Sequence, residues 1–116
     1  MKIVEAVNLF LALQNLAEMK MPVRVSYAVA KNIRHLEADY KFFEDSKKRM
    51  QGDYFTKDAE GTQVVVEGKQ AELDQAWKEL MELQVDAEIH KVSLSAFGDV
   101  ALTPAQLYAL DEMIES

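Results

Sequence analysis

The sequence feature that most constrains the fold is an apolar stripe within residues 25–43, VSYAVAKNIRHLEADYKFF. The members of the stripe are Val29, Ile33, Leu36, Tyr40 and Phe43, at steps of four, three, four and three residues. A mean spacing of about 3.5 residues keeps an apolar seam turned toward a neighbouring helix along its whole length. The stripe therefore predicts one long helix, over roughly residues 26–52, that packs along a second helix.

A partner for the stripe lies later in the same chain. Residues 69–84 predict a helix in which Leu73, Trp77 and Leu80 have the same four-three spacing, so the two helices can form an antiparallel hairpin. Trp77 on this apolar side is interpreted as a core residue. Because the second helix is shorter than the first, part of the stripe needs another cover. The first helix of the chain can supply some of this cover, and a second copy of the protein could supply the rest.

The segment between these two helices changes character. Tyr54–Thr56 and Val64–Val66 are strand-favouring, and the turn-rich string KDAEG lies between them. This pattern predicts a small β-hairpin at the tip of the helical hairpin. Two strands alone are marginally stable in water, so we expect this tip to be mobile unless it docks on another surface.

Shorter elements flank the helical hairpin. Residues 3–19 predict an N-terminal helix that is central to the core. Residues 21–25 suggest a short extended segment, with Pro22 ending the first helix and Ser26 capping the long one; the alternative is a helix that begins at Pro22. The β-leaning residues 86–94 would pair with residues 21–25 as a short two-stranded element.

The C-terminal pattern is a capping box. Thr103 is the predicted N-cap, Pro104 occupies the first helical position and Gln106 follows three residues after the cap. Leu107, Leu110 and Ile114 would form the buried face of this last helix. The predicted fold class is therefore α+β, mostly helical, with residues 1–116 forming a single domain.

Composition excludes several classes of function. The chain has no cysteine, which removes disulfides, thiolate metal sites and cysteine nucleophiles. Twenty acidic and thirteen basic residues give a formal charge of −7, which disfavours direct nucleic-acid binding, and the basic run at 47–49 is interpreted as a solvated helix face. No apolar run is long enough to span a membrane and no secretory signal is evident, so we expect a cytoplasmic protein without membrane partners.

Chemically active patterns are scarce. His35 and Asp39 share one helix face but have no further metal ligands nearby in the sequence. Asp86, Glu88 and His90 alternate along a predicted strand; they are interpreted as solvated residues, and whether they bind an ion stays open. No serine has a nucleophile motif and the glycines form no phosphate loop. We therefore predict no catalytic residues, no metal site and no cofactor.

Two segments carry a resemblance. The string MPVRVSYAVAKNIRHLE and the closing VDAEIHKVSLSAFGDVALTPAQLYALDEMIE resemble a family of small uncharacterised bacteriophage proteins. The resemblance rests on residues at the front and the back of the chain: Pro22, Val23, Val25, Tyr27, Ala30, Lys31, Asn32, Gly98, Asp99, Thr103, Pro104, Leu107 and Leu110. It implies a phage or prophage gene product and brings no catalytic residues with it.

The leading hypothesis is a non-enzymatic protein-binding module, a phage morphogenesis or accessory factor with a phage or host protein, or a second copy, as its partner. The residues expected to bind, because they lie beyond the reach of the shorter helix, are Tyr40, Phe43, Met50, Tyr54 and Phe55. The alternative is an acidic inhibitor that mimics nucleic acid and blocks a host nuclease. Its candidate carboxylates are Glu37, Asp39, Glu44, Asp45, Glu72, Asp74, Glu79 and Glu82.

Overall fold

Helices dominate the structure, a computed structural model that describes residues 1–115. Within those residues the α-helices are α1 (Ile3–Leu16), α2 (Val23–Tyr54), α3 (Gln70–Glu82) and α4 (Pro104–Ala109). The strands are β1 (Phe55–Lys57), β2 (Gln63–Val65), β3 (Val92–Ser93) and β4 (Ile114–Glu115). Turns of 3₁₀ helix cover Leu94–Phe97 and Asp111–Met113. The predicted mostly helical α+β class, with a long helical hairpin and a β-hairpin at its tip, is confirmed.

The main core lies where α1 packs along the first half of α2. Leu9, Leu13, Leu36, Leu110 and Met113 are all at most 1 % exposed in this cluster. A smaller cluster of Ile3, Val7, Phe43 and Leu80 joins α1 and α2 to the end of α3. Because α1 contributes to both clusters, it covers much of the apolar stripe. The stripe is thus packed mainly within its own chain.

Backbone hydrogen bonds fix the segment that follows α3 to the start of α1. The Ile3 amide donates to the Leu83 carbonyl at 2.8 Å, and the Val85 amide donates to the Met1 carbonyl at 2.9 Å. These bonds satisfy backbone groups just at the helix ends, where intrahelical partners are lacking. The base of the helical hairpin is therefore tied to the core.

The predicted strand at 21–25 and the Ser26 cap are wrong. Helix α2 begins at Val23 with Pro22 as its N-cap, close to the alternative in which the helix begins at Pro22. Proline suits a helix start because its missing N–H would have no partner there. The Pro22 carbonyl accepts from the Val25 and Ser26 amides at 3.0 Å each, so the helical ladder has already started where the strand was expected.

The predicted pairing of residues 86–94 with 21–25 is also wrong. Only Val92 and Ser93 form a strand, β3, and they pair in parallel with Ile114 and Glu115 of β4. Residues 86–91 run along α2, where a side chain replaces the missing neighbouring strand. The Asn32 amide nitrogen donates to the His90 carbonyl at 2.9 Å, and the Asn32 amide oxygen accepts from the His90 amide at 2.7 Å. Asn32 is fully buried.

The capping box at the start of α4 is confirmed. The Gln106 amide donates to the Thr103 hydroxyl at 3.1 Å, and the Thr103 amide donates to the Gln106 side-chain oxygen at 2.9 Å. The helix is shorter than expected, however, and Ile114 lies in β4 rather than on a helical face. Leu110 and Met113 instead carry the burial of this segment into the main core.

Removing the cap tests this local assignment. Because the Thr103 hydroxyl satisfies one free amide of a very short helix, Thr103→Ala should lower the free energy of unfolding by about 1 kcal/mol. Urea unfolding measures the change, and Thr62→Ala in the exposed tip turn is the control. Equal stability of the two variants would contradict a stabilising role of the cap.

The molecule is elongated, with extents of 56 × 29 × 22 Å and a radius of gyration of 18.1 Å. A compact domain of this length would have a radius of gyration of about 13 Å. The extra length comes from the outer part of the helical hairpin, residues 44–79, which we call the arm. The arm contains the end of α2, both strands of the β-hairpin and most of α3.

Candidate functional site: the arm

The arm contains no buried side chain. Phe43 and Leu80 are the last buried residues on α2 and α3, and every residue of 44–79 is half-buried or exposed. Two helices in contact cover only one side of each other, so an isolated helical hairpin cannot enclose a core. The arm thus offers apolar side chains that need a further layer to become buried.

The tip of the arm is locally well formed. Strands β1 and β2 pair in antiparallel register with Phe55 opposite Val65. The Asp58 carboxylate accepts from the Glu60 amide at 2.9 Å and from the Thr62 amide at 3.0 Å, and Gly61 supplies a positive φ of 82°. Such a turn chemistry fixes the connection without any tertiary contact. The tip therefore has a defined shape even though it lies outside the core.

One side of the α2–α3 contact carries a groove of about 430 Å³, the Trp77 groove. Its lining side chains are Lys47, Met50, Phe55, Leu73, Asp74 and Trp77, with Gln51 at the edge. Trp77 is 44 % exposed, so its interpretation as a core residue is wrong. Helix α3 meets only α2 at this level, which leaves the outer side of the indole uncovered.

The opposite side carries a second groove of about 340 Å³, the Phe42 groove, which extends from the base of the arm outward. Its main lining side chains are Phe42, Arg49, Met50, Tyr54, Glu79 and Leu83. Phe42 is 50 % and Leu83 39 % exposed. Sequence reasoning named neither as a binding residue, because Phe42 lies beside the stripe and Leu83, three residues after Leu80, lies on the apolar side of its helix. The available signal for Phe42 was a large apolar side chain directly beside Phe43, on a helix face that the stripe does not use.

The five residues expected to bind a partner divide into two groups. Phe43 is 6 % exposed in the smaller core cluster, and Tyr40 stacks on Phe10 with ring centroids 4.5 Å apart. Phe43 packs with Leu80, so it does not lie beyond the reach of the shorter helix, and both residues are covered by α1. Met50, Tyr54 and Phe55 are half-buried and line the two grooves, where Met50 belongs to both.

Lys47 marks the point at which burial along α2 stops. Its ammonium lies 5.2 Å from the centroid of the Phe43 ring and 3.4 Å from the Glu44 carboxylate. A lysine stem can cover apolar surface while its charge stays in water. Lys47 therefore covers the outer edge of the Phe43 ring, and the open part of the arm lies beyond it.

The charges on the arm are mixed rather than uniformly acidic. Residues 44–79 contain nine acidic and six basic side chains. Three of the candidate carboxylates for nucleic-acid mimicry, Glu37, Glu44 and Glu72, are paired with nearby lysines three or four positions away. An acidic surface interrupted by cations is a poor imitation of a phosphate backbone. The geometry gives the inhibitor hypothesis no specific support.

The histidines serve the packing of the extended segment. His35 Nδ1 lies 2.8 Å from the Glu88 carbonyl, and the His90 ring meets the Tyr27 ring edge-on with centroids 5.6 Å apart. Asp86, Glu88 and His90 are all exposed to solvent. Among residues 1–115, no group of three or more acidic or histidine side chains is close enough to hold a metal ion.

None of the helices in the described part of the chain is both long enough and apolar enough to cross a membrane.

Comparison with known proteins adds no further constraint. No protein-family model, no curated protein and no solved structure matches this chain, so its function is inferred from the geometry of the arm.

Proposed function

We propose that this protein is a non-enzymatic protein-binding module whose arm docks on an apolar protein surface. The observation that carries the proposal is the absence of any buried side chain over residues 44–79 of the described chain. Fully burying an exposed aromatic side chain contributes about 1.5–3 kcal/mol. Trp77, and Phe42 at the base of the arm, are half exposed, so covering each of them stabilises a complex by about half of this amount.

The arm has the composition of a binding surface. Tryptophan, tyrosine, methionine and arginine are enriched where proteins meet, and the two grooves contain Trp77, Tyr54, Met50 and Arg49. The body, residues 1–43 and 80–115, also exposes large apolar side chains, such as Val23, Tyr27 and Tyr108, but unlike the arm it has a buried core. The main core and the backbone bonds at the base give the arm a rigid support, which reduces the entropy lost on binding.

The resemblance of the two segments at the front and back of the chain to phage proteins suggests a biological setting for this proposal. In that setting the module would act as a phage morphogenesis or accessory factor in the cytoplasm of the host cell. The proposal for the arm does not depend on it. Identification of the neighbouring genes tests the setting: tail or capsid assembly genes beside this one would support it.

Site-specific crosslinking tests the proposed function directly. A photoreactive amino acid at position 51, where exposed Gln51 lies at the edge of the Trp77 groove, should give a discrete protein adduct in the cell that expresses the protein. The same group at position 108, where Tyr108 is 88 % exposed on the body, should not. Excess unlabelled wild-type protein should suppress the adduct at 51. Equal adducts at both positions, or none at 51, would contradict the proposal.

Trp77→Ala is expected to separate binding from folding. Because Trp77 is 44 % exposed, its loss should lower the free energy of unfolding by less than about 1.5 kcal/mol. As an aromatic in a groove, it should weaken binding of the crosslinked partner at least about tenfold. Tyr108→Ala is the matched control for an aromatic truncation. Binding that falls steeply with salt and is insensitive to Trp77→Ala would favour the acidic inhibitor instead.

A further inference from the structure

Each groove of the arm has a basic side chain from α2 and an acidic side chain from α3. The Phe42 groove is lined by Arg49 from α2 and Glu79 from α3, with the Asp53 carboxylate one helical turn beyond Arg49, and the Trp77 groove by Lys47 from α2 and Asp74 from α3. Within residues 1–115, neither Arg49 nor Glu79 has an oppositely charged group within 4 Å. Arg49 and Glu79 are thus free to pair with charged groups of another molecule, and apolar side chains lie between them.

Such a surface is complementary to itself. When α2 of one copy lies across α3 of another, Arg49 of each copy meets Glu79 of the other. A symmetric pair uses the same patch twice, so that residue i meets residue j and j meets i. The apolar side chains of the Phe42 grooves of the two copies then face one another, and the four helices form a layered bundle with an enclosed core. The dimer would thus enclose a core that the arm of a single copy lacks.

The size of the surface is sufficient for a dimer. From Phe42 to the tip the hairpin is about 30 Å long, given the rise of helix and strand, and two adjacent helices are about 20 Å wide. Each copy would thus contribute ~600 Å², or ~1,200 Å² in total, which is the lower end of stable protein interfaces. An interface of this size is compatible with a reversible dimer.

We infer that the occupant of the Phe42 groove is a second copy of this chain, with Arg49 of each copy paired to Glu79 of the other. This inference rests on the proposed function, because it names the partner of the same arm. Phe42, Met50 and Leu83 form the apolar centre of the interface. The Trp77 groove, on the other side of the hairpin, stays open for a different protein.

A charge-exchange experiment tests the arrangement. Arg49→Glu alone places two carboxylates against each other, and Glu79→Arg alone places two guanidinium groups together, so each variant should dimerise about tenfold more weakly than wild type or worse. An equimolar mixture of the two variants should form a heterodimer substantially tighter than either variant homodimer, because one of its two contacts joins the introduced carboxylate to the introduced guanidinium and the other joins native Arg49 to native Glu79. Contacts within one chain cannot produce this recovery on mixing.

Sedimentation equilibrium provides the readout, with circular dichroism to show that each variant is folded. Arg34→Glu on the body part of α2 and Glu18→Arg after α1 are the controls, and both should dimerise like wild type. A wild-type protein that is monomeric up to high micromolar concentration would overturn the inference. So would a mixture that stays monomeric. The proposed function would fall separately, through the crosslinking at position 51.

Discussion

Phe43→Ala is expected to lower the free energy of unfolding by about 3–5 kcal/mol, the usual cost of removing a buried phenylalanine. Phe43 is 6 % exposed and packs with Ile3, Val7 and Leu80 where α1, α2 and α3 meet. The structure tends to relax only partly around such a cavity. Because this cluster holds the base of the arm, the loss should also loosen α3. Chemical denaturation followed by circular dichroism measures the effect.

The neighbouring residue provides a matched control. Phe42→Ala removes the same side chain one position earlier on the same helix, but Phe42 is 50 % exposed. Its stability cost should stay below about 1.5 kcal/mol. If dimers form through the Phe42 groove, this variant should instead weaken self-association. Similar unfolding free energies for the two variants would show that Phe43 is not a core residue and would contradict the described packing.

Asn32→Ala is expected to cost about 2–4 kcal/mol, because it leaves the His90 amide and carbonyl without their partner and creates a small cavity. The Asn32 amide makes both hydrogen bonds to His90 and lies 3.8 Å from the Met113 sulfur. It connects α2 to the extended segment and to the C-terminal turn. Thermal or urea unfolding measures the loss.

His35→Ala tests whether this effect is specific to the buried amide. His35 reaches the same segment through the Glu88 carbonyl, but the contact is solvent-exposed. Its removal should cost only about 1 kcal/mol. Hydrogen exchange on residues 86–91 should increase in Asn32→Ala much more than in His35→Ala. Equal increases would mean that Asn32 is no more important than any polar contact with this segment.

Much of the fold follows from local sequence patterns. The stripe on the long helix and the matching spacing of Leu73, Trp77 and Leu80 predict the helical hairpin. The string KDAEG predicts the turn at its tip, because a turn is specified by neighbouring residues. The capping box at Thr103 is equally local, since both of its hydrogen bonds join residues three positions apart. Patterns that act within one element can be recognised without knowledge of the tertiary structure.

The errors concern contacts between distant segments. Residues 21–25 alternate like a strand, yet Pro22 starts a helix and the partner expected for that strand binds the Asn32 side chain instead. Asn32 lies in step with Ala28 and Leu36, and a polar residue at such a position was the available signal of a buried hydrogen bond. Pairing between distant segments depends on tertiary geometry that alternation alone does not encode.

The candidate binding surface was predicted only in part for a related reason. Met50, Tyr54 and Phe55 are partly covered and line the two grooves. The spacing of the stripe, however, does not show at which residue of α2 the contact with α1 ends. That limit lies at Phe43 and is set by Ile3 and Val7 at the start of α1. Residues beside the stripe, such as Phe42, can be identified as exposed only when the positions of the neighbouring helices are known.

Hydrogen exchange in dilute and concentrated protein measures most directly whether the arm depends on a partner for its burial. At nanomolar to low micromolar concentration, amides of residues 45–79 should exchange far faster than those of residues 25–43, because only the latter belong to a core. Protection of the arm should rise as the protein self-associates, while that of residues 25–43 stays constant. Equal protection of arm and core in dilute, monomeric protein would contradict the account.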